Sequence, residues 1–484
     1  MLSVLGERDA HEIVALRQLG PQTLALTRRE LWAACQSLSR ALSEMQAERC
    51  LVVSRNPWHV LTAALATWTA SAKRILALPP SLLPQVISEL AEQTGAVVLS
   101  DGSVSTSRPG LRFSTAQTQR DAWTPNYGHE SETAWAATSQ QMLTQLYEQE
   151  TIAAELYTSG TTGNAKACPK TLSQLLGEAA LHARTEFGPS RLAETQPQTP
   201  SHARSVLSLV DPTHIFGLLF GVLVPFSAGV PFWFTEDQAE RSALLASAGA
   251  SDLVAAPAQL SALSRDPRFA ERALQGAPRR VFCSGAPLDA QLGRELMGKG
   301  IEVVELFGST ETGGIARRRN DVDGAWQPLE GVRVDIDVDR LVVRSPFTLP
   351  ANAPVTTNDR VRFFGNSFRH LGRADDVIKV GGRRVALRDI ERQVLTLPHI
   401  TDAAAVALRV PGLRNHEICL AVAAAEGRWS AQTLRQELLD FFEGAAVPRR
   451  IRILKELPRG ANGKLPRAAL LALFEASAGV NREP

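Results

Sequence analysis

Residues 157–166 read YTSGTTGNAK, a run whose side chains suit an anion. Thr158, Ser159, Thr161 and Thr162 bring hydroxyl donors, Gly160 and Gly163 let backbone N–H groups converge, and Lys166 closes the run with a point charge. The run is expected to follow a strand and precede a helix, where phosphate loops usually sit. Two familiar phosphate signatures fail here. A Walker loop needs Gly-x4-Gly-Lys-Ser/Thr, but five residues after Gly160 stands Ala165, and five after Gly163 stands Cys168. A dinucleotide fingerprint fails too, because the Gly-x-Gly at Gly298 and Gly300 has Val303 where a third glycine belongs. Taken alone, the run reads equally well as a flexible surface turn.

It is not alone. Downstream, in order, stand SGAP (284–287), ELFGSTETGG (305–314), TTNDRVRF (356–363), GRADDVIKVGGRR (372–384) and PRGANGK (458–464). Together with TSGTTG and its lysine, these make the chain resemble the acyl-adenylate-forming superfamily over roughly residues 50–470. That superfamily holds acyl-CoA synthetases, peptide-synthetase adenylation domains and beetle luciferases.

The resemblance implies roles position by position. Thr158 to Lys166 would hold phosphates, and Gly285, Ala286 and Pro287 would form an adenine wall. Phe307 replaces a common tyrosine, and its ring can still pack on adenine. Thr310 would contact phosphate and Glu311 would contact Mg²⁺, since one carboxylate plus ATP oxygens suits a hard cation. Asp359 would accept from both ribose hydroxyls. Arg373 would contact ribose or phosphate, and Asp375 would be the hinge about which a small domain rotates. Lys379 would face the site in the thioester-forming state, and Gly381 and Gly382 would line a pantetheine tunnel. Lys464 would reach the substrate carboxylate and the α-phosphate during adenylation. The chain departs from the family pattern at Ala165, which replaces proline, and at Ala167 and Asn358, which replace glycine.

The implied activity uses ATP and Mg²⁺ to adenylate a carboxylic acid and then passes the acyl group to a thiol. That thiol would belong to CoA or to the 4'-phosphopantetheine of an acyl carrier protein. Residues 211–218, DPTHIFGL, are similar to the family's acid-pocket element; the resemblance implies that His214 and Ile215, together with Gly308, line the pocket. Amino-acid-activating members carry aspartate where Ile215 stands, so an aryl or fatty acid is expected instead. LALPPSLLPQ, VVLSDG and ACPKTLSQL resemble bacterial ligases of aryl-polyene and xanthomonadin-type pigment pathways. An aryl acid such as a hydroxybenzoate or hydroxycinnamate is therefore preferred, with a carrier protein as acceptor. A fatty acyl-CoA synthetase, a non-catalytic nucleotide binder and a luciferase-like use of the adenylate are the alternatives. Arg449, Arg450, Arg452 and Lys455 read either as a dock for an acidic carrier or CoA phosphates, or as a solvated basic face.

The elements that must position these residues follow from periodicity. Thr27 and Glu30 form a capping-box pattern, and Leu31, Ala34, Leu38 and Leu42 recur at helical spacing. Strands are expected at Cys50–Val53, Ile75–Leu78, Ala96–Leu99, Ile152–Tyr157, Arg204–Val210, Leu253–Ala256, Arg280–Ser284 and Glu302–Glu305. Helices are expected at Trp58–Ser71, near Thr138–Gln149 and at Leu172–Glu186. Alternation of this kind implies an α/β fold with parallel sheets and helices on their faces. Short β segments follow residue 330, and a second α/β pattern follows Asp376. The expected organisation is a large N-terminal domain over 1–373, with a β-rich subdomain about 330–373, and a small mobile C-terminal α/β domain over 374–484.

Composition bounds the rest. The 484 residues carry 52 basic and 50 acidic side chains, a net charge of +2, which gives no general pull toward nucleic acid. None of the five cysteines forms a C-x-x-C pair, so neither a zinc site nor a disulfide framework is expected, and most should be buried. The opening MLSVLGERDAHEIV lacks a signal-peptide core. The apolar stretch Ile215–Phe234 carries two prolines and reads as buried helix, turn and strand rather than a membrane span. A cytoplasmic enzyme is the expectation.

Overall fold

Thr27 caps the first helix of the described residues as expected. Its hydroxyl accepts the N–H of Glu30, and the Glu30 carboxylate accepts the N–H of Thr27 at 2.6 Å, starting α1 (Arg28–Glu44). Leu31, Ala34, Leu38 and Leu42 are all buried. The computed structural model describes residues 11–19, 22–45, 48–71, 73–80, 82–100, 103–106, 141–159, 165–188, 204–235, 244, 250–274, 278–321, 324–374, 377–380, 383–409, 416–442, 447–460 and 465–475. The chain divides into two units. The first holds residues 1–158, 165–333 and 343–355, and the second holds 159–164, 334–342 and 356–484.

The first unit contains two sheets. Two unexpected strands come first among the described residues, β1 (Ile13–Leu19) and β2 (Gln22–Thr27). They are followed by β3 (Arg49–Val53), β4 (Ile75–Leu78), β5 (Val97–Ser100), β6 (Ser103–Thr106), β7 (Ile152–Ser159) and β8 (Ala165–Thr171). Then come β9 (Val206–Ser208), β10 (Phe232–Phe234), β11 (Asp252–Ala255), β12 (Arg280–Cys283), β13 (Glu302–Ser309), β14 (Gly313–Arg319) and β15 (Gln327–Pro328). One sheet runs β6-β5-β3-β4-β7-β8, with β5, β3, β4 and β7 parallel. The other runs β15-β14-β13-β12-β11-β9-β10-β1-β2, parallel from β13 through β1.

Helix α2 (Pro57–Ala70) is apolar nearly all round, and Trp58 through Thr69 are buried. It joins α1, α3 (Leu172–Phe187) and both sheets in one large core cluster. All five cysteines are buried and unpaired. Ile215–Phe234 is the buried helix, turn and strand expected of it: helices at Ile215–Leu218 and Val224–Ala228 flank a π-helical turn, and Gly229 leads to β10. Among the described residues no helix is long and apolar enough to cross a membrane.

The second unit supplies β18 (Val355–Phe364) and β19 (Ser367–Arg373), which pair antiparallel in a four-stranded sheet with β16 (Arg333–Asp337) and β17 (Arg340–Arg344). The VIKVGGRRV run forms a hairpin of β20 (Val377–Val380) and β21 (Arg383–Ala386). A three-stranded sheet of β22 (Ile400–Arg409), β23 (His416–Ala424) and β24 (Arg450–Leu454) follows. It packs on helices α4 (Leu387–Leu395), α5 (Ala431–Leu439) and α6 (Arg467–Glu475) through two buried clusters.

Candidate active site

The phosphate run departs from expectation in its setting. β7 ends at Ser159 and β8 begins at Ala165, and the two are neighbours in one sheet, so the run joins strand to strand. The helix begins only at Leu172. Pro169 is unsuited to a helix interior, and Thr171 supplies the cap by accepting the Gln174 N–H at 3.2 Å. Lys166 is exposed at the start of β8, and the Thr158 hydroxyl donates to its carbonyl at 3.4 Å. Gly160, Thr161, Thr162, Gly163, Asp375, Gly381, Gly382 and Lys464 lie outside the described residues, as do the side chains of Ser159 and Lys379.

Three other predicted segments leave the same edge of the nine-stranded sheet. In parallel sheets ligands bind beyond the carboxyl ends of the strands. SGAP follows β12, Phe307 to Ser309 end β13 and lead into Thr310 and Glu311, and DPTHI follows β9. Gly285, Ala286 and Pro287 are exposed, with Gly285 at φ +93°. The Ser284 hydroxyl donates to the Leu306 carbonyl at 2.9 Å, which holds this turn beside Phe307. Phe307 is half-buried, 5.4 Å from the Trp326 ring.

The Glu311 hairpin is tightly built. Ser309 pairs with Gly313, leaving Thr310, Glu311 and Thr312 as the tip. The Ser309 and Thr312 hydroxyls lie 3.0 Å apart, and each accepts the other residue's N–H at 3.2 Å. A Cβ on Gly308 would stand 2.4 Å from the Gly313 carbonyl oxygen, so only glycine lets the strands close. Thr310 is half-buried and Glu311 is exposed. Among the described residues no group of three or more His, Cys, Asp or Glu could hold a metal. A lone exposed carboxylate fits a Mg²⁺ carried chiefly by phosphate oxygens.

Beneath this hairpin lies a buried polar group that sequence reasoning missed. Lys170 donates to the carbonyls of Glu311 at 3.1 Å and Phe347 at 2.8 Å. Gly314 donates its N–H to Glu178 Oε1 at 2.6 Å. Burial pushes Glu178 up to about 7, although the Lys170 charge and the Gly314 N–H pull the other way. Burial holds Lys170 below the ordinary lysine value, and pushes His182, one turn beyond Glu178, down to about 4. The only sequence signal is a helical row, Gln174, Glu178, His182 and Glu186, on the face that is otherwise core.

His214 sits in a turn locked by Asp211, whose carboxylate accepts the Thr213 N–H and hydroxyl at 3.2 and 3.1 Å. Its own N–H donates to the Asp211 carbonyl at 3.1 Å. A Cβ on Gly217 would stand 2.1 Å from that carbonyl oxygen, so glycine lets the helix fold back on the turn. His214 and Ile215 are both half-buried at the helix start.

In the second unit Asp359 on β18 faces Arg373 on β19 in cross-strand register. Arg373 Nη1 lies 3.9 Å from Asp359 Oδ1. His370, a further residue missed in the sequence, places Nε2 at 2.9 Å from Asp359 Oδ1. Burial works against ionisation of Asp359, but the His370 hydrogen bond and the His370 and Arg373 charges prevail and hold it below the usual aspartate value. The basic segment at 449–455 is largely strand β24. Arg450 and Arg452 are exposed on one face, Ile451 and Ile453 are turned inward, and Arg450 Nη2 lies 3.4 Å from Glu417.

Residues 7–342 match the family model described as AMP-binding enzyme. A 4-coumarate–CoA ligase of Rhodobacter capsulatus is 30 % identical over 317 residues, 65 % of this chain and 75 % of that enzyme. An anthranilate–CoA ligase of Pseudomonas aeruginosa is 28 % identical over 244 residues, 42 % of this chain and 46 % of that enzyme. Among solved structures, the anthranilate CoA ligase AuaEII in complex with anthranoyl-AMP matches at TM-score 0.71 and 16 % identity, covering 99 % of this chain and 97 % of that one. ATP-bound MatB from Rhodopseudomonas palustris matches at TM-score 0.69 and 19 % identity, covering 98 % of each chain.

Proposed function

Since the chain belongs to the AMP-binding enzyme family, we propose that it joins an aryl acid to a thiol through an acyl-adenylate. In the first half-reaction a carboxylate oxygen attacks the α-phosphorus of ATP, the bond to the β-phosphate oxygen breaks, and pyrophosphate leaves. In the second, a thiol sulfur attacks the acyl carbon and loses its proton, and AMP leaves.

The observation that carries this reading is the exposed Glu311 tip, on the same sheet edge as the SGAP turn and the His214 turn. Glu311 would meet Mg²⁺, which screens charge on the phosphates when bound. Thr310 and the 158–166 run would hold phosphate oxygens, Phe307 and the SGAP turn would flank adenine, and Asp359 with Arg373 would hold ribose. Lys464 would steady the attacking carboxylate. For the second step the small domain would turn about Asp375 and present Lys379, Gly381 and Gly382, a gating motion of the hinge type.

Ile215, which stands where amino-acid-activating members carry aspartate, supports an acid without an ammonium group, and the 4-coumarate and anthranilate ligases among the relatives support an aryl acid. The proposed acceptor is a carrier-protein pantetheine, with CoA the alternative; the exposed face of Arg450 and Arg452 suits an acidic partner.

ATP–pyrophosphate exchange with benzoic, cinnamic, fatty and amino acids tests the first half-reaction. Exchange with one aryl acid, lost in Lys464→Ala, is expected; exchange only with amino acids would overturn the substrate class. Asp375→Pro should keep exchange and lose thioester formation, and equal loss of both would remove the hinge.

A further inference from the structure

Strand β8 carries two lysines with opposite fates. Lys166 at its start is exposed, whereas Lys170 is only 2 % exposed. A buried ammonium persists only where acceptors meet it. Lys170 has the Glu311 carbonyl at 3.1 Å and the Phe347 carbonyl at 2.8 Å, and the charge of buried Glu178 acts on it. Gln174, one turn into α3, donates its amide to the neighbouring Thr348 carbonyl, so the 347–348 segment is tied twice. The Glu311 carbonyl belongs to the hairpin tip, while the Glu311 side chain stays exposed.

We propose that Lys170 is a positioning residue for ATP activation, fixing the hairpin tip through the Glu311 carbonyl and so aiming the Glu311 carboxylate and the Thr310 hydroxyl. This rests on the roles proposed above for Glu311 and Thr310. Lysine suits the task because its three N–H groups can serve two carbonyls while its charge faces Glu178. Because the bond goes to main chain, Lys170 leaves both oxygens of the Glu311 carboxylate to a cation. The same strand that presents Lys166 at one end thus anchors the metal-facing hairpin at the other.

Calorimetric titration of the full chain with ATP reads affinity and stoichiometry separately. With Mg²⁺ present, Lys170→Met should weaken ATP roughly tenfold at unchanged stoichiometry, the scale of one hydrogen bond from a charged donor. With EDTA in place of Mg²⁺ the loss should shrink to about twofold, because the cation contact is then gone. Glu311→Ala should show the same Mg²⁺-dependent loss, and adding Lys170→Met to it should weaken binding little further. If Glu311→Ala loses affinity and Lys170→Met does not, the role of Lys170 falls and that of Glu311 stands. If Glu311→Ala binds ATP with Mg²⁺ like the wild type, the reading of Glu311 falls and Lys170 with it. Reduced stoichiometry at unchanged affinity would assign Lys170 to folding alone and overturn the proposal. Should Lys170→Met not fold, Lys170→Gln, which keeps one donor group, carries the same comparison.

Discussion

The two carboxylates proposed to face ATP are held in opposite ways. In the first unit Glu311 is gripped from behind: the buried Lys170 ammonium takes its carbonyl, Ser309 and Thr312 stitch its turn, and the carboxylate is left in solvent. In the second unit Asp359 is gripped by the carboxylate itself, with His370 at 2.9 Å and Arg373 at 3.9 Å. The difference matches the two tasks. A hold on the backbone fixes a cation ligand while leaving both of its carboxylate oxygens to the ion. A diol acceptor can give one lone pair to a histidine and still accept from hydroxyls, gaining a fixed orientation in exchange.

The comparison can be broken most forcefully at Glu311. Glu311→Gln should lower kcat for pyrophosphate exchange by roughly 10²–10³, the range for removing a preorganised electrostatic contact to the transition state. A loss confined to the acid KM would mean Glu311 does not face ATP.

Next in size is a pH effect on stability beneath the hairpin. Burial raises Glu178 from 4.5 to about 7, so its contribution is fully present below pH 4.5 and is lost as pH rises through about 7. Glu178→Gln removes that titration. Its stability relative to the wild type should therefore climb by roughly 2–3 kcal/mol between those pH values, read as a Tm difference across a pH series. A constant Tm difference would show that Glu178 does not take up a proton on folding. Asp359 has the opposite sign: held below its ordinary 3.8, it contributes stability above that pH and loses it as pH falls.

Smaller effects sharpen the second half of the comparison. Asp359→Asn should raise the KM for ATP about tenfold with little change in acid KM, as expected for a weakened charged hydrogen bond to ribose. His370→Asn should raise it by only about fivefold, because it frees the carboxylate without removing it. An effect of His370→Asn as large as that of Asp359→Asn would mean that the histidine itself meets the nucleotide.

Much of the fold was legible in the sequence, and the reason is local. Ile75–Leu78 and Arg280–Cys283 read as strands because short apolar runs between turn residues have few other outcomes, and Thr27 with Glu30 writes its own helix start. Strands β1 and β2 were not legible. β2 is a largely exposed edge strand in which only Leu26 packs on the core, and β1 finds its parallel partner, Phe232–Phe234, more than two hundred residues away. The basic segment at 449–455 hid β24, because its alternating arginines drew the reading toward charge when the isoleucines between them carried the period.

The sequence by itself determined the chemistry on offer: a hydroxyl-rich glycine run ending in Lys166, the adjacent Thr310 and Glu311, Asp359 with Arg373, and their order along the chain. Those are matters of residue type and spacing, and they survive without coordinates. Only the tertiary structure decided what supports them. Lys170 lies 141 residues from Glu311 and 177 from Phe347, and Glu178 lies 136 from Gly314. Nothing local distinguishes a lysine that will be buried against two carbonyls from one that will be solvated. The ammonium's fate depends on which distant strand ends the sheet brings over it, and that choice is made by packing of the whole unit.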